Sequence, residues 1–404
     1  MAICLLALSA GQVLAAQAGG AVLWTASDRT PLRSDRSGVA ATLKDLPRGT
    51  PVRQLQNEGA WLLVEEPGGV KGWAYQGHLE ASRPLPTSVD LFAPLPGSIV
   101  LAETADTSRS SRSVQPERNK DNEALWSVLE LPLSRQNLED FLREGGIGEY
   151  SQATPHSNGG PLKLPALKPA APPGGDAERL LGLNLAVTVT RKVAKPAFGT
   201  QLQRYVNLVG LSVARFAPGN ALSYRFIVLD SPAPMSLSLP GGFVMISTGL
   251  VKSLDNEAQL ALVLAHEAAH ASLAHGWARA KATQFFRSGL GMTDDGVKSP
   301  LFGQMQDELL KQLLRHGTDQ KQEYDADAAA VQMAYRAGYD PMQLIAALHN
   351  VDRASDGAVL SSSARWSDLH PPLQMRMNRI QALLARLPMQ DGLALATQRF
   401  QANI

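Results

Sequence analysis

The apolar positions of this chain follow two different patterns. From residue 21 to 82 they form short runs: Ala21–Thr25, Gly38–Leu43, Pro51–Asn57, Trp61–Glu65 and Gly72–Tyr75. Pro47-Arg48-Gly49 and Pro67-Gly68-Gly69 break them, and short strands between such turns predict a small barrel. From Asp176 onward the runs lengthen and repeat at helical spacing. Helices are predicted over Glu178–Thr190 and Gln201–Phe216. Arg225–Asp230 and Gly242–Thr248 read as strands, and Leu237-Ser238-Leu239 reads as an edge strand ahead of Pro240-Gly241-Gly242. An almost wholly apolar helix follows, from about Asn256 to His275, capped by Asp255 and stopped by Gly276.

The middle of the chain is organised differently. Residues 83–120 are rich in Pro, Ser, Thr and Arg without periodicity and read as a solvated linker. Residues 121–145 predict two short helices, broken at Pro132 and closed by Gly145-Gly146. Residues 151–175 are dominated by Pro and Gly and mark the main boundary. The expected organisation is a signal segment (1–18), a β domain (21–82), a connecting segment with short helices (83–150), a linker (151–175) and a larger domain (176–404). That makes the chain α+β, a small all-β unit ahead of a mainly helical one.

Composition narrows the chemistry. The 404 residues carry a net charge of +1, which gives no electrostatic case for nucleic acid as a partner. Cys4 is the single cysteine, so any metal in the body of the chain must be held by His, Asp or Glu. Residues 1–18 form an apolar run ending in small residues, read as a secretory signal cleaved after Ala16 or Ala18, with a buried N-terminal helix as the alternative. The expected location is therefore periplasmic or secreted. No other apolar run approaches the roughly 20 residues of a membrane span, so no integral membrane segment is expected.

The candidate chemistry lies in the apolar helix, where His266-Glu267-Ala268-Ala269-His270 reads H-E-x-x-H. Residues four apart share a helix face, with Cβ atoms roughly 5–6 Å apart. His266 and His270 thus present two imidazoles to one point, which suits zinc. Glu267 stands where its carboxylate can reach a metal-bound water without joining the metal. A catalytic zinc ordinarily has a third protein ligand. Downstream, Asp319 can cap a helix that places Glu323 and Asp327 on one face. Glu323 could complete the site, and Asp327 could accept a hydrogen bond from a ligand histidine. Alternatively, both belong to an acidic first turn favoured by the helix dipole, and spacing alone leaves the two readings even.

Other motifs settle this by resemblance. From about Asp176 the chain resembles the M48 family of zinc metallopeptidases, a zincin-type fold that includes periplasmic quality-control proteins. The similarity runs in order through Leu202–Gly210, Val228–Ser231, Leu239-Pro240-Gly241-Gly242-Phe243 and His266–His270. It continues through Glu323-Tyr324-Asp325-Ala326-Asp327 and His370-Pro371-Pro372 with Arg376. The resemblance implies one zinc ion bound by His266, His270 and Glu323, with Glu267 as general base and Asp327 supporting the ligands. It also implies an edge strand at Leu237, Ser238 and Leu239 that pairs with extended polypeptide. His370 is a candidate fourth metal contact or oxyanion stabiliser, or else a turn residue. His275 is read as structural, a helix-terminal cation or packing contact. Two positions depart from the family pattern: Pro234-Met235-Ser236 stands where the family often has Asn-Ala, and Ala328 where it often has Arg.

Residues 21–82 resemble a bacterial SH3-like domain through Thr30–Ser34, Leu43–Gly49, Ala60-Trp61, Gly72–Tyr75 and Leu79. Such modules bind peptides or cell wall, so envelope protein or peptidoglycan is a candidate partner. Trp61 and Trp73 could line a groove, but core packing is the expected role. The function implied is a zinc endopeptidase acting on misfolded or envelope proteins. The alternative is a chaperone-like or autoinhibited binding protein that uses the same fold with low turnover.

Overall fold

The structure is a computed structural model and describes residues 20–84, 91–92, 116, 118–151, 167–219, 222–293, 297–315, 319–355, 370–387 and 392–404. The expected signal segment and most of the two linkers lie outside the described residues. Among the described residues, no helix is long and apolar enough to cross a membrane.

Seven strands form the N-terminal unit: β1 (Val22–Thr25), β2 (Arg29–Arg33), β3 (Thr42–Pro47), β4 (Pro51–Glu58), β5 (Trp61–Glu65), β6 (Lys71–Tyr75) and β7 (Leu79–Glu80). Their order is β3-β2-β6-β5-β4-β1-β7, with antiparallel pairing throughout. The expected barrel is not closed. No ladder joins β3 to β7 among the described residues. Thr42, Leu43, Lys44 and Asp45 of β3 are exposed, and charged, solvated side chains suit an edge strand. The strand read at Gly38–Leu43 is displaced to Thr42–Pro47 because Leu46 enters the core while Val39 and Leu43 stay in solvent. Leu62, Val64 and Ala74 point inward with Leu23, Leu32 and Val52. Alternation sends Trp61 and Trp73 to the other face, where both are half-buried rather than in the core.

The helices α1 (Glu123–Leu129) and α2 (Arg135–Glu144) lead to α3 (Gly175–Lys192) and α4 (Thr200–Ala214). A three-stranded sheet follows: β8 (Arg225–Leu229), β9 (Ser236–Leu239) and β10 (Phe243–Ser247). Its order is β8-β10-β9, with β8 parallel and β9 antiparallel to β10. Val228, Val244 and Ile246 feed one core, while Ile227, Leu237 and Met245 feed another. A sheet buried on both faces explains the continuous apolar runs of its central strands. Gly241 (φ 73°) and Gly242 (φ 91°) let the chain turn from β9 into β10 through conformations that side chains resist.

The outer edge of β8 is closed by side chains of α4. Gln203 exchanges bonds of 2.9 and 3.0 Å with the backbone of Val228, and Asn207 does the same with Phe226 at 2.6 and 3.0 Å. Residues four apart on a helix thus stand in for a strand. No strand flanks the free side of β9 among the described residues.

The remaining helices are α5 (Thr248–Ser253), α6 (Glu257–Ser272), α7 (His275–Lys281), α8 (Gln284–Arg287), α9 (Pro300–Arg315), α10 (Gln320–Ala337), α11 (Gln343–Ser355), α12 (Leu373–Leu384) and α13 (Thr397–Gln401). Every residue of α6 is buried, as expected of a helix apolar on all sides. Its cap is Asn256 rather than Asp255, because the Asn256 side chain accepts from Gln259 N at 3.0 Å. It ends at Ser272 rather than His275. Ala274 turns left-handed (φ 58°), and Gly276 lies inside α7.

The N-terminal sheet is docked against the helical part. Arg336 on α10 is buried and donates to Leu79 O (3.1 Å) and to Glu80 (3.0 Å). Arg33 pairs with Glu149 at 3.0 Å, and Arg135 with Asp28 at 2.7 Å. The His78 ring packs against Phe216 at 5.6 Å between centroids. Burial, together with the positive charges of Arg215, Arg33 and Arg336, holds His78 well below the usual histidine pKa. The unfolded chain takes up a proton near 6.5 that folded His78 does not, so stability falls as pH drops below that value. The expected slope from this residue approaches about 1.4 kcal/mol per pH unit. Thermal unfolding of wild type and His78→Leu between pH 7 and 5 checks it, because the wild type should lose stability more steeply.

Candidate metal centre

Both ends of α6 are anchored before any chemistry is added. Glu257, in its first turn, is fully buried and accepts from Tyr205 Oη (2.9 Å), Tyr339 Oη (2.7 Å) and both sides of the Arg399 guanidinium (2.7 and 2.5 Å). A negative charge here complements the helix dipole. At the other end, the turn at Ala274 swings His275 back, placing its Nδ1 2.9 Å from Nδ1 of His270.

The helical spacing brings His266 Nε2 and His270 Nε2 within 3.1 Å of each other. Beside α6 runs α10, started by the Asp319 cap, whose side chain accepts from Lys321 N. Its Glu323 places Oε1 3.4 Å from His270 Nε2 and Oε2 3.5 Å from His266 Nε2. Three ligand atoms around a tetrahedral zinc, with bonds of about 2.0–2.1 Å, stand about 3.3 Å from one another. The separation of the two ring nitrogens, and the approach of one Glu323 oxygen to each of them, are close to that spacing. In addition, Glu323 Oε2 is buried with no hydrogen-bond partner among the described residues. Two ring nitrogens and a carboxylate converge in a buried pocket, and His266, His270 and Glu323 fit a metal ion.

Neighbouring groups hold this set in place. Asp327 Oδ1 lies 3.0 Å from His266 Nδ1. Arg376 on α12, itself buried, donates to Asp327 Oδ2 (2.8 Å) and Oδ1 (2.6 Å). Burial alone would raise the Asp327 pKa, but Arg376 and His266 bring it down to about 2. Burial opposes charge on His266, yet Asp327 and Glu323 outweigh it and raise its pKa to about 10. Glu323 is held well below the carboxylate range, where burial is overcome by His370, His270 and His266. Burial and the neighbouring His270 press His275 down to about 2. His275 opens α7 rather than ending α6, so of the two structural roles read for it the contact on His270 is the one its position gives.

His370 Nε2 lies 3.7 Å from Glu323 Oε2, at the rim of the same cluster. Glu267 faces a cleft lined also by Val263, Leu344, Leu348 and Val351. Ser236 at the start of β9 donates to Glu267 Oε1 at 2.7 Å. Leu237 and Leu239 point away into the core, while Ser236 and Ser238 share the opposite, half-exposed face. The structure therefore gathers His266, His270, Glu323, Asp327, Glu267 and His370. The expected substrate strand, Leu237, Ser238 and Leu239, enters through Ser236, its neighbour on β9. Sequence reasoning gave no role to Ser236 or to Arg376. Arg376 was visible only as a member of a late motif, and Ser236 only as a departure from a pattern.

Residues 200–384 match the model of peptidase family M48. The chain is 28% identical over 152 residues to the beta-barrel assembly-enhancing protease of Escherichia coli (strain K12), covering 35% of this chain and 31% of that protein. It is 27% identical over 181 residues to the mitochondrial metalloendopeptidase OMA1 of Schizosaccharomyces pombe (strain 972 / ATCC 24843), covering 45% of this chain and 52% of that protein. It thus spans less than two thirds of either relative. The matched segment contains both α6 with its paired histidines and α10 with Glu323, so the part of the chain that carries the cluster is the part that is similar to peptidase family M48.

Proposed function

We propose that the chain is a zinc metalloendopeptidase, and the convergence of His266, His270 and Glu323 beside Glu267 is the observation that carries this reading. A zinc ion held by these three would polarise the scissile carbonyl and lower the pKa of a bound water towards 7. Glu267 takes the proton of the attacking water and returns it to the leaving amine. Asp327 and His275 fix the two ligand rings through their outer nitrogens. The free edge of β9 at Leu237–Leu239 holds an extended polypeptide by backbone pairing, which favours unfolded stretches over particular sequences. The family resemblance supports misfolded or envelope proteins as substrates, and the expected signal segment supports a periplasmic or secreted location. The resemblance to SH3-like modules supports envelope protein or peptidoglycan as a contact of the N-terminal sheet.

The same site supports a second reading. His370 stands 3.7 Å from Glu323 and can occupy the face of the metal that substrate needs, giving an autoinhibited or chaperone-like protein of low turnover. One assay tests both readings. Purified protein should bind one zinc per chain and cleave unfolded casein, and a chelator should stop cleavage until zinc is restored. If His370 blocks the site, His370→Ala should cleave several-fold faster than wild type. If it stabilises the oxyanion, the variant should be slower by about 10²-fold. Zinc-loaded wild type that leaves casein intact while His370→Ala also stays inert would remove the peptidase reading.

A further inference from the structure

We infer that Ser236 is a positioning residue that orients the Glu267 carboxylate, an inference that rests on the peptidase reading above. The hydroxyl donates to Glu267 Oε1 at 2.7 Å, and Glu267 is buried. A carboxylate turns freely about its last bond, because that torsion has no sharp preferred angle. One fixed donor sets its plane and occupies one oxygen, which leaves the other to exchange protons with the attacking water. A base held within a narrow range of orientations loses little when it reaches the transition state.

The donor is itself fixed. Ser236 pairs with Ile246 in the β9–β10 ladder. The preceding residue, Met235, exchanges bonds with Ser247, its N–H donating to the hydroxyl at 2.9 Å and its carbonyl accepting from Ser247 N at 2.8 Å. Strand alternation turns Ser236 towards α6, while Leu237 is anchored in the core on the other side. Ser236 also stands on the strand whose free edge would take the substrate. A polypeptide paired along β9 and the base that acts on its carbonyl are therefore aligned by one rigid element.

The test uses the zinc-loaded full chain and three variants. Ser236→Ala and Ser236→Val remove the hydroxyl, and Ser236→Thr keeps it with the shape of Val. Casein-derived peptide cleavage should show kcat down about 10-fold in the Ala and Val variants with KM within about two-fold of wild type, and near-normal kcat in the Thr variant. Zinc content and melting temperature should not change. Crystal structures of wild type and Ser236→Ala supply a readout independent of turnover, with Glu267 in one orientation in the first and in more than one in the second. Wild-type kcat in Ser236→Ala, a Thr variant as slow as the Val variant, or a single unchanged Glu267 orientation in Ser236→Ala would overturn the inference. Absence of cleavage by wild type would instead count against the peptidase reading, with the crystallographic comparison still deciding the role of Ser236.

Discussion

Glu267→Gln is expected to keep its zinc and lose peptide cleavage by about 10²–10⁴-fold. The cluster that can hold the metal is made by His266, His270 and Glu323, so Glu267 can change without removing a ligand. Gln has nearly the same shape, and its carbonyl oxygen still accepts the Ser236 hydroxyl that now bonds Glu267 Oε1. What disappears is the ability to take a proton from water and hand it to the leaving amine. Metal analysis together with casein cleavage checks this. A variant that binds zinc and cleaves at the wild-type rate would refute the assigned base.

Arg376→Leu is expected to destabilise the fold by about 3–5 kcal/mol, because it strips a buried carboxylate of the guanidinium that makes two hydrogen bonds to it. Arg376 and Asp327 are both buried, and two bonds of 2.8 and 2.6 Å join them. With the guanidinium gone, Asp327 stays ionised at a high cost or takes up a proton. Either way its grip on His266 Nδ1, now 3.0 Å away, is altered. Loss of such an outer partner ordinarily weakens metal affinity by about 10–100-fold. Urea unfolding and zinc competition titrations should therefore move together. The double variant Arg376→Leu, Asp327→Leu should recover part of the stability without recovering the affinity, since no charge is then stranded and His266 still lacks its acceptor.

How far the sequence reads into this molecule depends on distance along the chain. Within α6, His266 and His270 are one turn apart, and helix geometry puts both rings on one face, where their Nε2 atoms stand 3.1 Å apart. For Glu323 the spacing could not choose between a ligand and an acidic first turn, and the family resemblance made the choice. At the cap of α6 two suitable residues stand side by side. Asn256 takes the capping bond because Gln259 N meets its side chain, while the Asp255 carboxylate accepts from Gln259 and Asn350 side chains. Asn350 lies on α11, far along the chain, so no local rule could have separated them. The strand shift to Thr42–Pro47 has a similar origin. Val39 and Leu43 look like core residues by type, but the sheet leaves them at an open edge.

What repeats over a few residues can be read along the chain: the helices, the strands of the central sheet, the paired histidines and the neighbouring glutamate. These follow from periodicity and from the apolar faces that must leave water. Which face meets which is set by how whole elements pack. That packing brings Glu323 from α10 to the histidines, Arg376 from α12 to Asp327, Ser236 from β9 to Glu267, and the N-terminal sheet onto Arg336. Each of those contacts joins residues distant in sequence, and its position is set by the packing of whole elements, whose energy is spread over many side chains and so leaves no local mark in the chain.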